Sequence, residues 1–149
     1  MNIEYRIPTS SDIVSIKKIN ENSLQENYGL SEWEMVMDHF SSLCRVATHD
    51  KLVIGYCIIV PIQTQTQTQK GHQIPSFAID SKYRNQGIGT TLLGKSISNL
   101  NYVELHCREN NVVALKLYYK LGFEKKTIQE NYYKNPTDNA FILVKHQQL

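Results

Sequence analysis

The stretch that most limits the fold of this 149-residue chain is Arg84-Asn85-Gln86-Gly87-Ile88-Gly89. Ile74–Asp80, just before it, reads as a strand, and Pro75 near its start limits the ladder there. After it, Ile88, Leu92, Leu93, Ile97 and Leu100 recur on one side of a helix. Tyr102–Cys107 then alternates as the next strand. A strand that turns through glycines into a helix and returns as a strand points to mixed α/β architecture around one sheet.

The flanking segments extend that order. Ile3–Ile7 alternates and stops at Pro8, a first strand. Ser10 or Ser11 caps a helix carrying Ile13, Ile16 and Ile19. Ser31-Glu32-Trp33-Glu34 has the capping-box pattern for a second helix, whose stripe is Trp33, Val36, Met37 and Phe40. Leu43–Thr48 and Leu52–Ile62 read as strands joined at His49-Asp50-Lys51. The polar tract Gln63–Gly71 is a solvated loop or an extension of its neighbours, without chemistry of its own. Asn110 or Asn111 opens a helix with Val113, Leu117 and Leu121 one turn apart, and Gly122 stops it. Phe123–Gln129 and Ala140–Lys145 are the last strands. The expectation is a single domain over residues 1–149, ordered β-α-α-β-β-β-α-β-α-β-β.

Composition narrows the function classes. Sixteen Lys and Arg against fourteen Asp and Glu leave a net charge of +2, which argues for neither nucleic acid nor a membrane surface. The longest apolar run, Leu52–Ile62, is broken by Gly55 and Pro61, short of the roughly 20 residues of a membrane helix. The first residues lack the basic-then-apolar pattern of a secretion signal. Cys44, Cys57 and Cys107 are an odd set without a CxxC pair, and read as reduced, buried thiols. The expected location is the cytoplasm, or cytoplasm and nucleus.

Four constellations bear on chemistry. In Arg84–Gly89, two glycines and a helix start aim several N–H groups at one spot, suited to a pyrophosphate, with Lys82 and Arg84 as added cations. The same residues also fit an ordinary glycine turn. Leu105-His106-Cys107-Arg108 ends a strand, so His106 is either a general base at a cleft wall or a hydrogen-bonded core histidine. Tyr118, on the helix that follows, is a packing residue by default. Leu24-Gln25-Glu26-Asn27-Tyr28 carries a carboxylate that is solvated, or a base if it faces a cleft. Asn131-Tyr132-Tyr133 forms an aromatic lip or a hairpin exposing amphipathic rings.

Taken in this order, the four pieces resemble the GCN5-related N-acetyltransferase (GNAT) superfamily. The resemblance is closest to the protein N-terminal (Nα) acetyltransferases: the NatA and NatE catalytic subunits, their archaeal relatives and RimI. Arg84–Gly89 is similar to the family's acetyl-CoA loop, and Lys120-Leu121-Gly122-Phe123-Glu124 to its Leu-Gly-Phe segment. Leu105-His106 and Asn111 to Tyr118 resemble its later cofactor region. The Glu26-Asn27-Tyr28 loop and the Tyr132-Tyr133 hairpin narrow the likeness to enzymes of protein N-termini.

The resemblance implies a twisted, mostly antiparallel mixed sheet, splayed between its fourth and fifth strands, with about four helices. It implies acetyl-CoA as acetyl donor and no metal. Ala78 and Ile79 would meet the pantetheine arm and the thioester carbonyl, Arg84, Asn85, Gln86, Gly87, Ile88, Gly89 and Thr90 the diphosphate, and Asn111 the cofactor arm. Tyr118 would protonate the departing thiolate. Glu26 or His106 would serve as base. Glu26, Tyr28, Gln73, His106, Tyr132 and Tyr133 would line the acceptor side. Gln73 stands where members using the histidine carry a tyrosine, and Gln25 where the loop usually carries proline. The implied acceptor is the α-amine of a protein or peptide, with room for an auxiliary subunit of the NatA type. The alternatives are a small amine such as a polyamine, a lysine side chain, or a non-catalytic acyl-CoA-binding module.

Overall fold

A computed structural model of the chain describes residues 1–62 and 71–147. They gather into two compact units: Met1–Val60 with Ser76–Ser98, and Pro61–Pro75 with Asn99–Leu149. Gln63–Lys70, nearly all of the polar tract, lies outside the described residues.

The first unit contains β1 (Ile3–Arg6), α1 (Ile13–Ser23), α2 (Leu30–Phe40), β2 (Arg45–His49), nearly all of β3 (Leu52–Pro61), the end of β4 (Gly71–Ile79), and α3 (Ile88–Ile97). Its core includes Ile16, Trp33, Val46, Tyr56, Ile58 and Ala78. The second contains the start of β4, then β5 (Tyr102–Arg108), α4 (Val112–Lys120), β6 (Glu124–Tyr133) and β7 (Asp138–His146). Val103, Leu105 and Leu143 are fully or almost fully buried there.

The strands follow the order β1-β2-β3-β4-β5-β7-β6 in one seven-stranded sheet. Pairing is antiparallel for β1–β2, β2–β3, β5–β7 and β7–β6. The β4–β5 pair is parallel, Gly71–Gln73 against Tyr102–Glu104. Parallel neighbours need a long crossover, which the segment carrying α3 supplies. Four helices with a mixed, mainly antiparallel sheet are the architecture expected above.

Several boundaries differ from expectation, each for a local reason. Ser10–Asp12 is a 3-10 turn, so neither Ser10 nor Ser11 caps α1 directly. Asp12 instead accepts from Thr9 N (2.8 Å) and, in a fork, from Arg6 (2.8 and 2.9 Å). Helix α2 starts at Leu30 rather than Ser31, because Glu32 reaches back to Gly29 N at 3.0 Å. A 3-10 turn at Ser41–Leu43 delays β2 to Arg45. Strand β4 begins at Gly71, which puts Pro75 in mid-strand, beyond the parallel pairs. Val113 is 78% exposed, and α4 buries Leu115 and Tyr118 instead. The cap is Asn111, whose Oδ1 accepts from Ala114 N (3.3 Å) and sets that phase. Gly122, at φ 94°, ends the helix as expected. Strand β6 runs on to Tyr133, taking in Asn131-Tyr132-Tyr133.

Candidate active site

In the first unit, the end of β4 leads into the glycine loop. Asp80 caps the Ser81–Tyr83 turn by accepting from Lys82 N at 2.9 Å. The Tyr83 hydroxyl meets His49 Nδ1 at 3.1 Å, anchoring the turn on β2. Arg84 Nε donates to Ile79 O (3.0 Å), which folds the loop back on the strand that carries Ala78 and Ile79. Asn85 and Gly87 adopt left-handed backbone, φ 61° and 78°. Gly87 is the N-cap of the ten-residue α3, and Thr91 N–H makes the bond back to Gly87 O at 3.1 Å. Ile88, Gly89 and Thr90 therefore present first-turn amides that precede the helical ladder. A Cβ built on Gly87 would meet nothing within 4 Å, and Arg84 to Gly87 are exposed. First-turn amides at a helix start, beside an exposed cation, fit a pyrophosphate.

The same unit holds the Glu26–Tyr28 loop. Asn20, fully buried near the end of α1, donates from Nδ2 to Glu26 O (3.1 Å) and accepts from Tyr28 N (3.3 Å). In the orientation that pairs donors with acceptors, the Asn27 amide donates to Asn20 O (3.1 Å) and Leu24 O (3.1 Å). Trp33 Nε1 donates to Tyr28 O at 3.1 Å, and the Tyr28 ring stands edge-on to Trp33. Beneath the loop, the Tyr56 hydroxyl bonds Ser76 Oγ (2.7 Å) on β4 and stands beside the Asn20 side chain. Burial pushes the Tyr56 phenol up to about 12, so the hydroxyl stays protonated.

In the second unit, β5 alternates from Tyr102 to Cys107: Val103, Leu105 and Cys107 are buried, while Tyr102, Glu104 and His106 are partly exposed. The Tyr102 hydroxyl donates to Glu104 Oε2 at 2.7 Å. Burial lowers the His106 pKa below its ordinary value, and the Glu104 charge opposes that shift. The Tyr132 ring stacks on His106, centroids 5.0 Å apart and planes within 22°. Tyr133 stands edge-on to Tyr132 and lies under the Arg108 guanidinium, 4.4 Å from its centroid. Arg108, 8% exposed, also donates to Pro136 O (2.8 Å) and Lys134 O (3.3 Å), pinning the β6–β7 turn. Gln73 pairs with Glu104 in the β4–β5 register. Tyr118 is buried and packs edge-on to Phe123. Asn111 caps α4 through its side chain.

The structure thus joins His106, Tyr132 and Tyr133 in one aromatic group. It joins Glu26 and Tyr28 through Asn20, and Ile79 to the glycine loop through Arg84. The sequence reading missed Asn20, Tyr56, Ser76, Glu104 and the anchoring role of Arg108. Asn20 left a trace: it lies four residues after Ile16, on the buried phase of α1, where an apolar residue is expected. Cys44, Cys57 and Cys107 are buried thiols outside any disulfide, and burial lifts the first two to about 11 and about 12. Among the described residues, no cluster of three or more His, Cys, Asp or Glu is placed to hold a metal ion, and no helix is long and apolar enough to cross a membrane.

Comparison gives the family in which a glycine loop between β4 and α3 stands in this sheet order. The chain belongs to the acetyltransferase (GNAT) family, whose model matches residues 12–123. It is an acetyl-CoA-dependent N-acetyltransferase. Its relatives include an N-alpha-acetyltransferase of Sulfurisphaera tokodaii, 34% identical, with 94% of this chain and 92% of that one covered. Ard1 from Thermoplasma volcanium is similar in structure at a TM-score of 0.88, with 25% identity and 100% of both chains covered. A chain of the NatC complex bound to Gag peptide and CoA shares the fold at a TM-score of 0.91, with 24% identity over 99% of this chain and 100% of that one.

Proposed function

We propose that the enzyme transfers acetyl from acetyl-CoA to the free α-amine of a protein or peptide. The observation that carries this reading is the Tyr132–His106 stack, which sets a half-exposed ring against an imidazole whose pKa burial lowers. An aromatic face beside a neutral base suits a short backbone terminus. The names of the archaeal relatives at 34% and 32% identity, both N-alpha-acetyltransferases, support the same acceptor.

The acceptor chemistry is undemanding. An α-amine titrates near 7.7–8.0, so roughly a quarter is neutral at about pH 7.4. A lysine amine near 10.4 is neutral roughly once in a thousand. The neutral nitrogen bonds to the thioester carbonyl carbon, the C–S bond breaks, and the amine proton passes to Glu26 or His106. Tyr118 donates its phenolic proton to the sulfur. The first-turn amides of α3 and Arg84 hold the diphosphate, and the backbone at Ala78 and Ile79 orients the thioester. Gln73, Tyr28 and Tyr133 complete the acceptor side. An auxiliary subunit of the NatA type would act on the Glu26 loop, and the proposal includes a cytoplasmic, or cytoplasmic and nuclear, location.

The test is turnover with acetyl-CoA on paired peptides. Peptides with a free N-terminus and no lysine should be acetylated; peptides with a blocked N-terminus and free lysines should not. The reverse pattern, or turnover on polyamines alone, rejects the proposal. Glu26→Gln and His106→Ala then separate the two bases, since only loss of the true base removes the chemical step.

A further inference from the structure

We infer that Asn20 is a positioning residue that fixes the Glu26–Tyr28 loop relative to β4, and so sets where the acceptor meets the thioester. The inference rests on the proposed reading of that loop as the acceptor side. It starts from an anomaly of placement. Asn20 is fully buried, one turn beyond Ile16 in a core that includes Ile19, Trp33 and Tyr56. A leucine there would satisfy the stripe and avoid burying an amide. It would also strip the Nδ2 partner from Glu26 O and the Oδ1 partner from Tyr28 N. The amide is therefore spent on the loop.

The neighbouring backbone groups are held by side chains as well. Tyr28 O receives Trp33 Nε1, and Gly29 N donates to Glu32 Oε1. Four backbone polar groups of the loop, Glu26 O, Tyr28 N, Tyr28 O and Gly29 N, are thus held by side chains. The other end of the network lies on β4. Tyr56 bonds Ser76 Oγ and stands beside the Asn20 side chain, and Ser76 precedes Ala78 by two residues on that strand. Strand residues two apart share a face. A buried polar cluster thus runs from the acceptor loop through Asn20 and Tyr56 to the strand that orients the donor. Such networks hold geometry when every member is satisfied.

The experiment reads amide exchange and kinetics on the intact enzyme. Asn20→Leu should speed exchange of the Tyr28 amide by about tenfold, the scale of one lost buried hydrogen bond. It should raise the peptide KM by a similar factor while acetyl-CoA affinity, read by calorimetry, stays within about twofold. Tyr56→Phe keeps the ring and removes one hydroxyl; it should move Tyr28 exchange and the peptide KM in the same direction by a smaller factor. It decides the matter if Asn20→Leu does not fold. Unchanged Tyr28 exchange in the folded variants overturns the inference. So does a fall in kcat with the peptide KM unmoved, the mark of mere loss of folded enzyme. Exchange needs no acceptor, so it judges the inference even where a failure on peptides has sunk the proposed function.

Discussion

Gly55→Ala should be costly, because a side chain at Gly55 on β3 would run into the donor strand. A Cβ built there would stand 2.5 Å from Ile79 Cδ1, 3.3 Å from Ala78 O and 3.5 Å from Leu92 Cδ2. Carbon pairs rest at about 3.5–4.0 Å, so Ile79 Cδ1 must withdraw by about 1 Å. Ile79 and Leu92 are both buried, which leaves that methyl little room. Overpacking of this kind costs about 1–3 kcal/mol. The Ile79 carbonyl also anchors Arg84, so part of the shift reaches the glycine loop. We expect Gly55→Ala to lose about 1–3 kcal/mol in urea denaturation and to bind acetyl-CoA several-fold more weakly by calorimetry. The control is Ile79→Val, which deletes the clashing methyl and alone costs about 0.5–1.5 kcal/mol. The double variant should be more stable than the sum of the single losses by about 1 kcal/mol. Additive losses, or a Gly55→Ala protein as stable as wild type, would refute the argument that this methyl has nowhere to go.

Asp12→Asn should cost about 1–2 kcal/mol at neutral pH, discounted because the Arg6 side chain is 40% exposed. The Arg6 hydrogen bonds hold the Asp12 carboxyl below its ordinary value, against the pull of burial, so its contribution is whole above about 3.8 and is lost as pH falls through the lower folded value. Stability of wild type and variant should therefore converge as pH falls below the folded Asp12 value in denaturation series; a gap independent of pH contradicts this. His106 is neutral over a wider range than a free imidazole, since burial lowers its pKa, so the acid limb of kcat/KM should lie below about 6.5 if it is the base. Glu104→Gln removes the opposing charge and should move that limb lower still; a limb unmoved by both Glu104→Gln and His106→Ala assigns the role to Glu26. Gly87→Ala meets no atom within 4 Å, so its cost is that of a left-handed alanine, about 1–2 kcal/mol, read as a lower Tm. A Tm equal to wild type would show that the turn can relax.

Periodicity made most of the fold legible. The stripes of α1, α2 and α3 and the alternation of β5 each declare a buried face, and those elements stand where the patterns put them. Two of the misplaced boundaries share one cause. Ser10 and Ser31 follow from local propensity, whereas in the structure a nearby acidic side chain takes up the free backbone group: Asp12 for Thr9 and Glu32 for Gly29. Competing caps a few residues apart look alike in sequence. Val113 shows the matching weakness of spacing: Leu117 and Val113 are one turn apart, yet α4 turns Leu115 and Tyr118 inward and leaves Val113 exposed.

The candidate site was legible only where a residue type is tied to its chemistry. Gly87 had to be a turn because left-handed backbone favours glycine, and the amides it exposes follow from the helix start. The residues that hold the site in shape carry no such mark. Arg108 read as one more strand-end cation, yet its value comes from Lys134 and Pro136, nearly thirty residues away. Asn20, Tyr56 and Ser76 meet from three different elements, and their pairing exists only once α1, β3 and β4 are assembled. The readable sign is negative: a polar residue on the apolar phase of a helix requires a partner, because an unpaired buried amide costs about 1–3 kcal/mol. That rule identifies the position before folding and leaves the partner to be found. Here the partner is the backbone of the loop bearing Glu26, so the break in the pattern of α1 marks the segment that α1 supports.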